Sequence, residues 1–213
     1  MLIASKQRIS EITPALREKL LSRMEADTAD RFHAALNPEK GFLLAAGRDL
    51  AKRLGAAALH IPVSDICLRH GQDGKPFFQL RKTEHPEALP LFVSLSHSGS
   101  WLLSVVSDGK VSCDIQELRH FPLEAVSGFF SEEDFRYIRS SEDQGRALCR
   151  IWCRRECLIK LFGEEWFSTR IPLCDTGRLR LDYGITLFEE QPDAKVCLSV
   201  FSISDAEIDW RIL

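Results

Sequence analysis

The sequence has no apolar run that approaches a membrane span, and its first residues lack the apolar segment of a secretory signal. It also lacks an excess of one charge, because 28 basic residues are interspersed with 31 acidic ones. A duplex-binding surface is normally basic, so we expect neither nucleic acid nor a membrane among the partners. A small anionic ligand stays possible, since a few convergent cations suffice for it. We expect a cytoplasmic protein.

Paired C-x-x-C spacing is absent too, although the chain has seven cysteines. An odd count without such pairs fits reduced thiols better than a disulfide framework. Cys149, Cys153 and Cys157 recur at every fourth position, which would place them in one stripe on a helix. Zinc would need a fourth ligand, so we interpret the three as small buried hydrophobes and keep a metal role as the minor alternative.

The order of local patterns predicts an α+β protein without a Pro- or Ser-rich linker. Helical spacing covers residues 13–59 with a break at Asn37-Pro38, and residues 61–80 are rich in turn signals. Further along, the patterns predict strands at 92–96, 101–106 and 111–115 as a meander, a helix beginning at Ser131, a helix over 145–162 and a strand at 195–203. Helices then strands, twice over, predict two halves, 1–108 and 109–213.

Two short patterns could carry chemistry. Asp114 and Gln116 lie two apart on a predicted strand, so their side chains point to the same side. Trp152, Glu156 and Lys160 have the spacing i, i+4, i+8, which places them on one face of a helix. Taken singly, Glu156 with Lys160 is more often a solvated pair, and an aspartate such as Asp114 is more often a turn residue.

Ser96-His97 is equally ambiguous, because a lone histidine is usually structural or exposed. A Ser-His hydrolase is disfavoured, since adjacent side chains diverge and no G-x-S-x-G motif is present.

In order, however, five segments resemble the motifs of the 4′-phosphopantetheinyl transferase superfamily, and more narrowly its longer, monomeric branch typified by the surfactin-synthetase activator. They are Gly74-Lys75-Pro76, Ser94-Leu95-Ser96-His97-Ser98, Cys113-Asp114-Ile115-Gln116, Phe129-Phe130-Ser131-Glu132-Glu133 and Trp152-Cys153-Arg154-Arg155-Glu156-Cys157-Leu158-Ile159-Lys160. Each motif is weak alone, whereas their order and intervals together are specific over residues 74–160.

The resemblance implies two similar α+β halves related by a pseudo-twofold axis, with coenzyme A bound between them. It implies an enzyme that transfers the 4′-phosphopantetheine group of coenzyme A to a serine of an apo acyl or peptidyl carrier protein and releases 3′,5′-ADP. Asp114 and Glu156 would be Mg²⁺ ligands, with Gln116 at the position of a third. Glu156 would also take the serine proton, directly or through water, and Lys160 would contact the pyrophosphate.

The remaining site residues that the resemblance implies are Lys75, Pro76, Ser96 and His97, which would hold the adenosine 3′-phosphate end of coenzyme A. Trp152 would be a packing residue that fixes its helix against the sheet.

The chain departs from the family pattern at three places. Gln116 replaces a glutamate, so its carbonyl would be a weaker ligand and water could take its position. Arg155 replaces a lysine; a structural or phosphate-binding role survives, but arginine cannot donate a proton near neutral pH. The basic residues that the family places in its N-terminal helices do not align cleanly, and Lys40 and Arg48 are the candidates.

Two other classes of function compete with this prediction. Gln116 motivates a non-catalytic coenzyme A or carrier-protein binding module of the same fold. A metal-dependent phosphodiesterase would also use an aspartate, a glutamate and a lysine. The phosphodiesterase leaves Gly74-Lys75-Pro76 and Ser96-His97 without an explanation.

Overall fold

The computed structural model describes residues 1–22, 24–35, 37–81, 88–118 and 123–212. These residues form two compact units, one of residues 1–108 with 207–213 and the other of residues 109–206. The predicted halves, 1–108 and 109–213, differ from these units at the C-terminal end. Asp209–Trp210 forms a parallel strand beside Leu2–Arg8 and so belongs to the first unit.

The first unit contains a six-stranded sheet. Its strands are β1 (Leu2–Arg8), β2 (Ile66–His70), β3 (Pro76–Leu80), β4 (Ala88–Ser98), β5 (Trp101–Ser107) and β9 (Asp209–Trp210). They lie in the order β2-β3-β4-β5-β1-β9, and all neighbours are antiparallel except the β1-β9 pair. Three helices accompany the sheet: α1 (Pro14–Ser22), α2 (Ala26–His33) and α3 (Pro38–Leu59).

Helix α3 covers this sheet with an apolar face, and a cap fixes its first turn. Asn37 caps the helix by accepting a hydrogen bond from the Lys40 amide at 2.8 Å, and Pro38 stands in the first turn. Leu50 and Leu54 are fully buried in two neighbouring apolar clusters. The core of the first unit therefore lies between α3 and the sheet.

The second unit contains a three-stranded sheet and three α-helices among the described residues. Its elements are β6 (Val111–Glu117), β7 (Thr186–Asp193), β8 (Val196–Ser202), α4 (Glu132–Ser140), α5 (Gln144–Phe162) and α6 (Thr176–Tyr183). The strands are antiparallel in the order β6-β8-β7, and the sheet packs against α5. Short 3-10 helices at Leu123–Phe129 and Glu164–Ser168 complete it. Ser131 caps α4 by accepting from the Asp134 amide, as the sequence predicted.

The α+β class is confirmed, as are the predicted helix over 145–162 and the strand at 195–203. Two expectations about order were wrong. A strand, β1, precedes the helices, because Leu2, Ile3 and Ala4 are buried beside β5. The strand at 111–115 does not complete a meander, because β6 pairs with β8 in the second sheet.

No helix within the described residues is both long and apolar enough to span a membrane.

Candidate active site

Strand β6 places Asp114 beneath helix α5. Ser112, two residues earlier on the same side of the strand, donates from Oγ to the carbonyl oxygen of Cys157 in α5 at 2.8 Å. By the alternation of side chains along a strand, Asp114 and Gln116 continue this side of β6. Asp114 is only 5% exposed, so the helix and the sheet shield its carboxylate from water.

Helix α5 approaches the sheet closely because small thiols line its inner face. Cys149, Cys153 and Cys157 are buried and donate from Sγ to backbone carbonyl oxygens of β6 and β8, at 3.4, 3.5 and 3.3 Å. Burial raises the pKa of Cys157 well above its ordinary value. The predicted stripe of small buried residues therefore exists, and its thiols stay protonated and inert.

Glu156 and Lys160 extend from α5 towards Asp114. The Lys160 ammonium donates to Asp114 Oδ1 at 2.8 Å and to the Cys113 carbonyl oxygen at 2.9 Å. The sequence left open that Glu156 and Lys160 form only a solvated pair. Lys160 does more than this, because it also binds Asp114 of the neighbouring strand. Trp152 packs edge-to-face on Phe129 and Phe130, whose ring centroids lie 6.0 and 6.2 Å away. Trp152 also packs against the core cluster that contains Phe201 of β8.

The Asp114 and Glu156 carboxylates repel each other electrostatically. Burial raises the pKa of Glu156, repulsion by Asp114 raises it further, and Lys160 offsets part of the increase. Burial alone would lower the pKa of Lys160, but attraction by Asp114 more than offsets this, so the pKa is raised. Lys160 is therefore a permanent cation beside two carboxylates.

These residues fit a hard divalent cation. Asp114 and Glu156 offer carboxylate oxygens and Gln116 an amide oxygen, which are the donors that Mg²⁺ prefers. Gln116 uses its Nε2 to donate to the Glu117 carbonyl oxygen at 3.2 Å. Within the described ranges, no group of three or more His, Cys, Asp or Glu side chains is placed to hold a metal. A cation here would thus take two charged protein ligands, and water or substrate oxygens would complete its octahedron.

Arg155 lies away from this cluster, on the interior side of α5. It is fully buried and donates from Nη1 to the carbonyl oxygens of Trp166 and Thr169, which fixes the 3-10 helix at Glu164–Ser168. Its Nε and Nη2 have no hydrogen-bond partner among the described residues. The geometry thus favours the structural role that was left open for Arg155 over phosphate binding.

The predicted donor-binding residues of the first unit lie at one end of its sheet. The turn at 71–75, where Gly74 has a φ of 75°, joins β2 to β3, and Lys75 is exposed there beside the half-buried Pro76. Strand β4 runs towards the same end, where Ser96 is half-buried and His97 is exposed. Both motifs therefore lie towards the same end of the sheet, on the neighbouring strands β3 and β4.

The N-terminal candidates for anion binding differ in exposure. Arg48 is buried and donates to Thr28 Oγ1 and the Leu68 carbonyl oxygen, both at 2.7 Å, so it acts in packing. Lys40 is exposed in the first turn of α3.

Sequence reasoning missed a cationic group around Glu25. Its Oε1 accepts from Lys52 Nζ and Arg81 Nη2, both at 2.7 Å, while Arg69 Nη1 lies 3.9 Å from Oε2. These residues are up to 56 positions apart, so no local pattern could reveal them.

Comparisons with known proteins give the family that this chain is similar to. Residues 110–208 match the family model of the 4′-phosphopantetheinyl transferase superfamily. The chain is 25% identical over 185 residues to the 4′-phosphopantetheinyl transferase psf-1 of Bacillus pumilus, covering 83% of this chain and 73% of that protein. It is 21% identical over 179 residues to Sfp of Bacillus subtilis, covering 83% and 75%. AcpT of Salmonella typhimurium is 33% identical over 101 residues, which are 44% of this chain and 48% of that protein.

The match over residues 110–208 confirms the resemblance to the 4′-phosphopantetheinyl transferase superfamily that the motifs indicated. The similarity to psf-1 and Sfp supports the predicted branch, and the expectation of an enzyme of this class is confirmed.

Proposed function

We propose that the chain transfers the 4′-phosphopantetheine group of coenzyme A to a serine of an apo carrier protein and releases 3′,5′-ADP. The observation that carries the proposal is the cluster of Asp114, Glu156 and Lys160. Two carboxylates in mutual repulsion with an ammonium beside them suit a reaction that positions a metal and neutralises phosphate charge.

The second unit would supply the reaction centre. Asp114 and Glu156, with Gln116, would hold Mg²⁺, which in such reactions neutralises charge on the phosphate oxygens. The hydroxyl oxygen of the carrier serine bonds to the β-phosphorus of coenzyme A, and Glu156 accepts the proton of that hydroxyl, directly or through water. The bond from that phosphorus to the bridging oxygen breaks, and Lys160 neutralises the charge on departing 3′,5′-ADP.

The first unit would bind the adenosine 3′-phosphate end of the donor. Lys75 and His97 are exposed at one end of the sheet and can supply charge-assisted hydrogen bonds to a phosphate. Pro76 would fix the backbone next to Lys75, and Ser96 would supply a hydroxyl next to His97. The family resemblance and the position of both residues towards one end of the sheet support the assignment.

The experiment that tests the proposal incubates the protein with an apo carrier protein, coenzyme A and Mg²⁺ and weighs the carrier by mass spectrometry. A gain of one phosphopantetheine supports the transferase. Formation of a stable complex without that gain selects the binding module, and hydrolysis of a diester substrate without carrier modification selects the phosphodiesterase. We further expect a monomeric protein of the cytoplasm, without nucleic acid or membrane partners.

A further inference from the structure

Helix α5 spans the three-stranded sheet of the second unit, and on each flank a basic residue of the helix binds a carboxylate of the sheet. Asp114 of β6, Ser199 of β8 and Glu189 of β7 form one row across the sheet by register. The Lys160 ammonium binds the β6 end of this row at Asp114. Arg154 binds the β7 end, at Glu189.

The Arg154–Glu189 pair is bidentate and largely shielded from water. Arg154 Nε donates to Glu189 Oε1 at 2.9 Å, and Nη2 donates to Oε2 at 2.7 Å. The third nitrogen, Nη1, donates to the Leu173 carbonyl oxygen. Ser199 Oγ adds a hydrogen bond to Glu189 Oε1 at 3.1 Å, and the Arg154 side chain is only 6% exposed. Two parallel hydrogen bonds fix an orientation that a single one leaves free.

The Arg154–Glu189 pair and Glu156 lie on opposite flanks of α5. Arg154 and Glu156 are two residues apart, about 200° around the helix, so they occupy opposite flanks of the cysteine stripe. The thiols of the stripe bond to the sheet backbone, and the Lys160–Asp114 and Arg154–Glu189 pairs add one polar contact on each flank, so the loss of a flank contact can let the helix rotate. A rotation of about 20° would move a carboxylate carried about 6 Å from the axis by about 2 Å.

We propose that Arg154 and Glu189 are positioning residues that orient Glu156 towards Asp114 for metal binding. The inference rests on the proposed function, because it assumes that these two carboxylates share a cation. Neither Arg154 nor Glu189 needs to touch the metal or the substrate. Partners of this kind orient a ligand from outside the coordination sphere.

The test compares three variants of the full chain: Arg154→Met, the double variant Arg154→Met with Glu189→Met, and Arg146→Met. Arg146 is the matched control, since it also joins α5 to β7, donating to Gln191 Oε1 at 2.8 Å, but lies ten residues before Glu156. Mn²⁺ is the probe. Its dissociation constant is measured from the electron paramagnetic resonance signal of free Mn²⁺, and stability by urea unfolding.

Arg154→Met and the double variant should both raise the Mn²⁺ dissociation constant by about 10- to 100-fold. The control should change it by less than about two-fold, because an exposed contact contributes little. Arg154→Met leaves Glu189 with only Arg150 Nε at 3.8 Å and the Ser199 hydroxyl as partners. The double variant removes this weakly paired carboxylate, so it should recover stability that the single variant loses, yet its Mn²⁺ affinity should stay weak. A purely structural pair would not separate these two readouts.

The inference is overturned if Mn²⁺ affinity is unchanged in both variants, or if affinity recovers together with stability in the double variant. A different result addresses the proposed function. If the native protein binds no Mn²⁺, or if Glu156→Ala binds it as tightly as the native protein, the metal site itself is refuted and the positioning role falls with it.

Discussion

Asp114→Asn and Glu156→Gln should both abolish phosphopantetheine transfer but should change stability differently. Each variant removes one of the two carboxylates proposed to hold the metal while keeping the shape of the side chain. Asp114 is buried and accepts a hydrogen bond from the Lys160 ammonium at 2.8 Å. Glu156 is half-buried, and Asp114 repels its carboxylate. The proposed mechanism thus requires both carboxylates, but the two should contribute unequally to the stability of the fold.

The stability cost of Asp114→Asn follows from the ion pair that it breaks. A hydrogen bond to a charged group contributes about 1.5–3 kcal/mol, and breaking a fully buried pair costs about 3–5 kcal/mol. The Lys160 side chain is 30% exposed, so water can solvate its ammonium once Asp114 is neutral. We therefore expect Asp114→Asn to lower the free energy of unfolding by about 1.5–3 kcal/mol.

Glu156→Gln should leave stability at neutral pH unchanged or raised, because it removes a charge that burial and Asp114 both disfavour. The sign of its pH dependence is determined by the raised pKa of Glu156. Between the ordinary value of 4.5 and the raised value, the folded protein binds more protons than the unfolded chain. This contribution to the free energy of unfolding therefore falls as pH rises through that window, and Glu156→Gln should lack the fall.

Urea unfolding at several pH values measures both effects, and the mass of an apo carrier after incubation with coenzyme A and Mg²⁺ measures transfer. Near-native transfer by either variant would refute the assignment of the carboxylates. Equal destabilisation by both variants would refute the electrostatic reasoning, even if transfer is lost.

Three further variants test other parts of the molecule. Gln116→Glu should lower the Mg²⁺ concentration that gives the half-maximal rate of transfer, and an unchanged value would mean that residue 116 does not face the metal. His97→Ala should reduce the preference for coenzyme A over its 3′-dephospho form, measured as the ratio of kcat/KM; an unchanged ratio would remove His97 from the 3′-phosphate. Gly55→Ala should destabilise the protein by about 1–2 kcal/mol in urea unfolding, because its Cβ would lie 2.7 Å from Cζ of Phe78. Gly47→Ala on the same helix is the control, since its nearest neighbour would be 3.7 Å away and helix propensity should stabilise it.

The sequence predicted well those elements whose signals are local. Helix α5 begins at the Asp143 cap and ends at Gly163, and both features can be recognised in a few residues. Strand β1 was missed because its burial depends on β5, about 100 residues later, where Leu2 pairs with Ser107. Strand β6 was found, but its partner was wrong, since the pattern of a strand does not identify which sheet it joins.

The candidate site shows the same division. Periodicity placed Glu156 and Lys160 on α5, and alternation placed Asp114 and Gln116 on one side of a strand. Neither pattern could show that Lys160 pairs with Asp114, because 46 positions separate them. Periodicity also could not distinguish the interior Arg155 from its exposed counterparts, because charge composition alone predicts solvent contact.

Gln116 has a second consequence through the net charge of the site. Asp114, Glu156 and Lys160 together carry one net negative charge, so a bound Mg²⁺ would leave the cluster with one net positive charge. A glutamate at position 116 would make it neutral. The neutral amide thus weakens metal binding but leaves more attraction for the anionic donor. Gln116→Glu should therefore raise KM for coenzyme A at saturating Mg²⁺ while it lowers the Mg²⁺ requirement. Steady-state kinetics at several Mg²⁺ concentrations separate the two effects, and a fall in KM for coenzyme A would show that net charge does not control donor binding here.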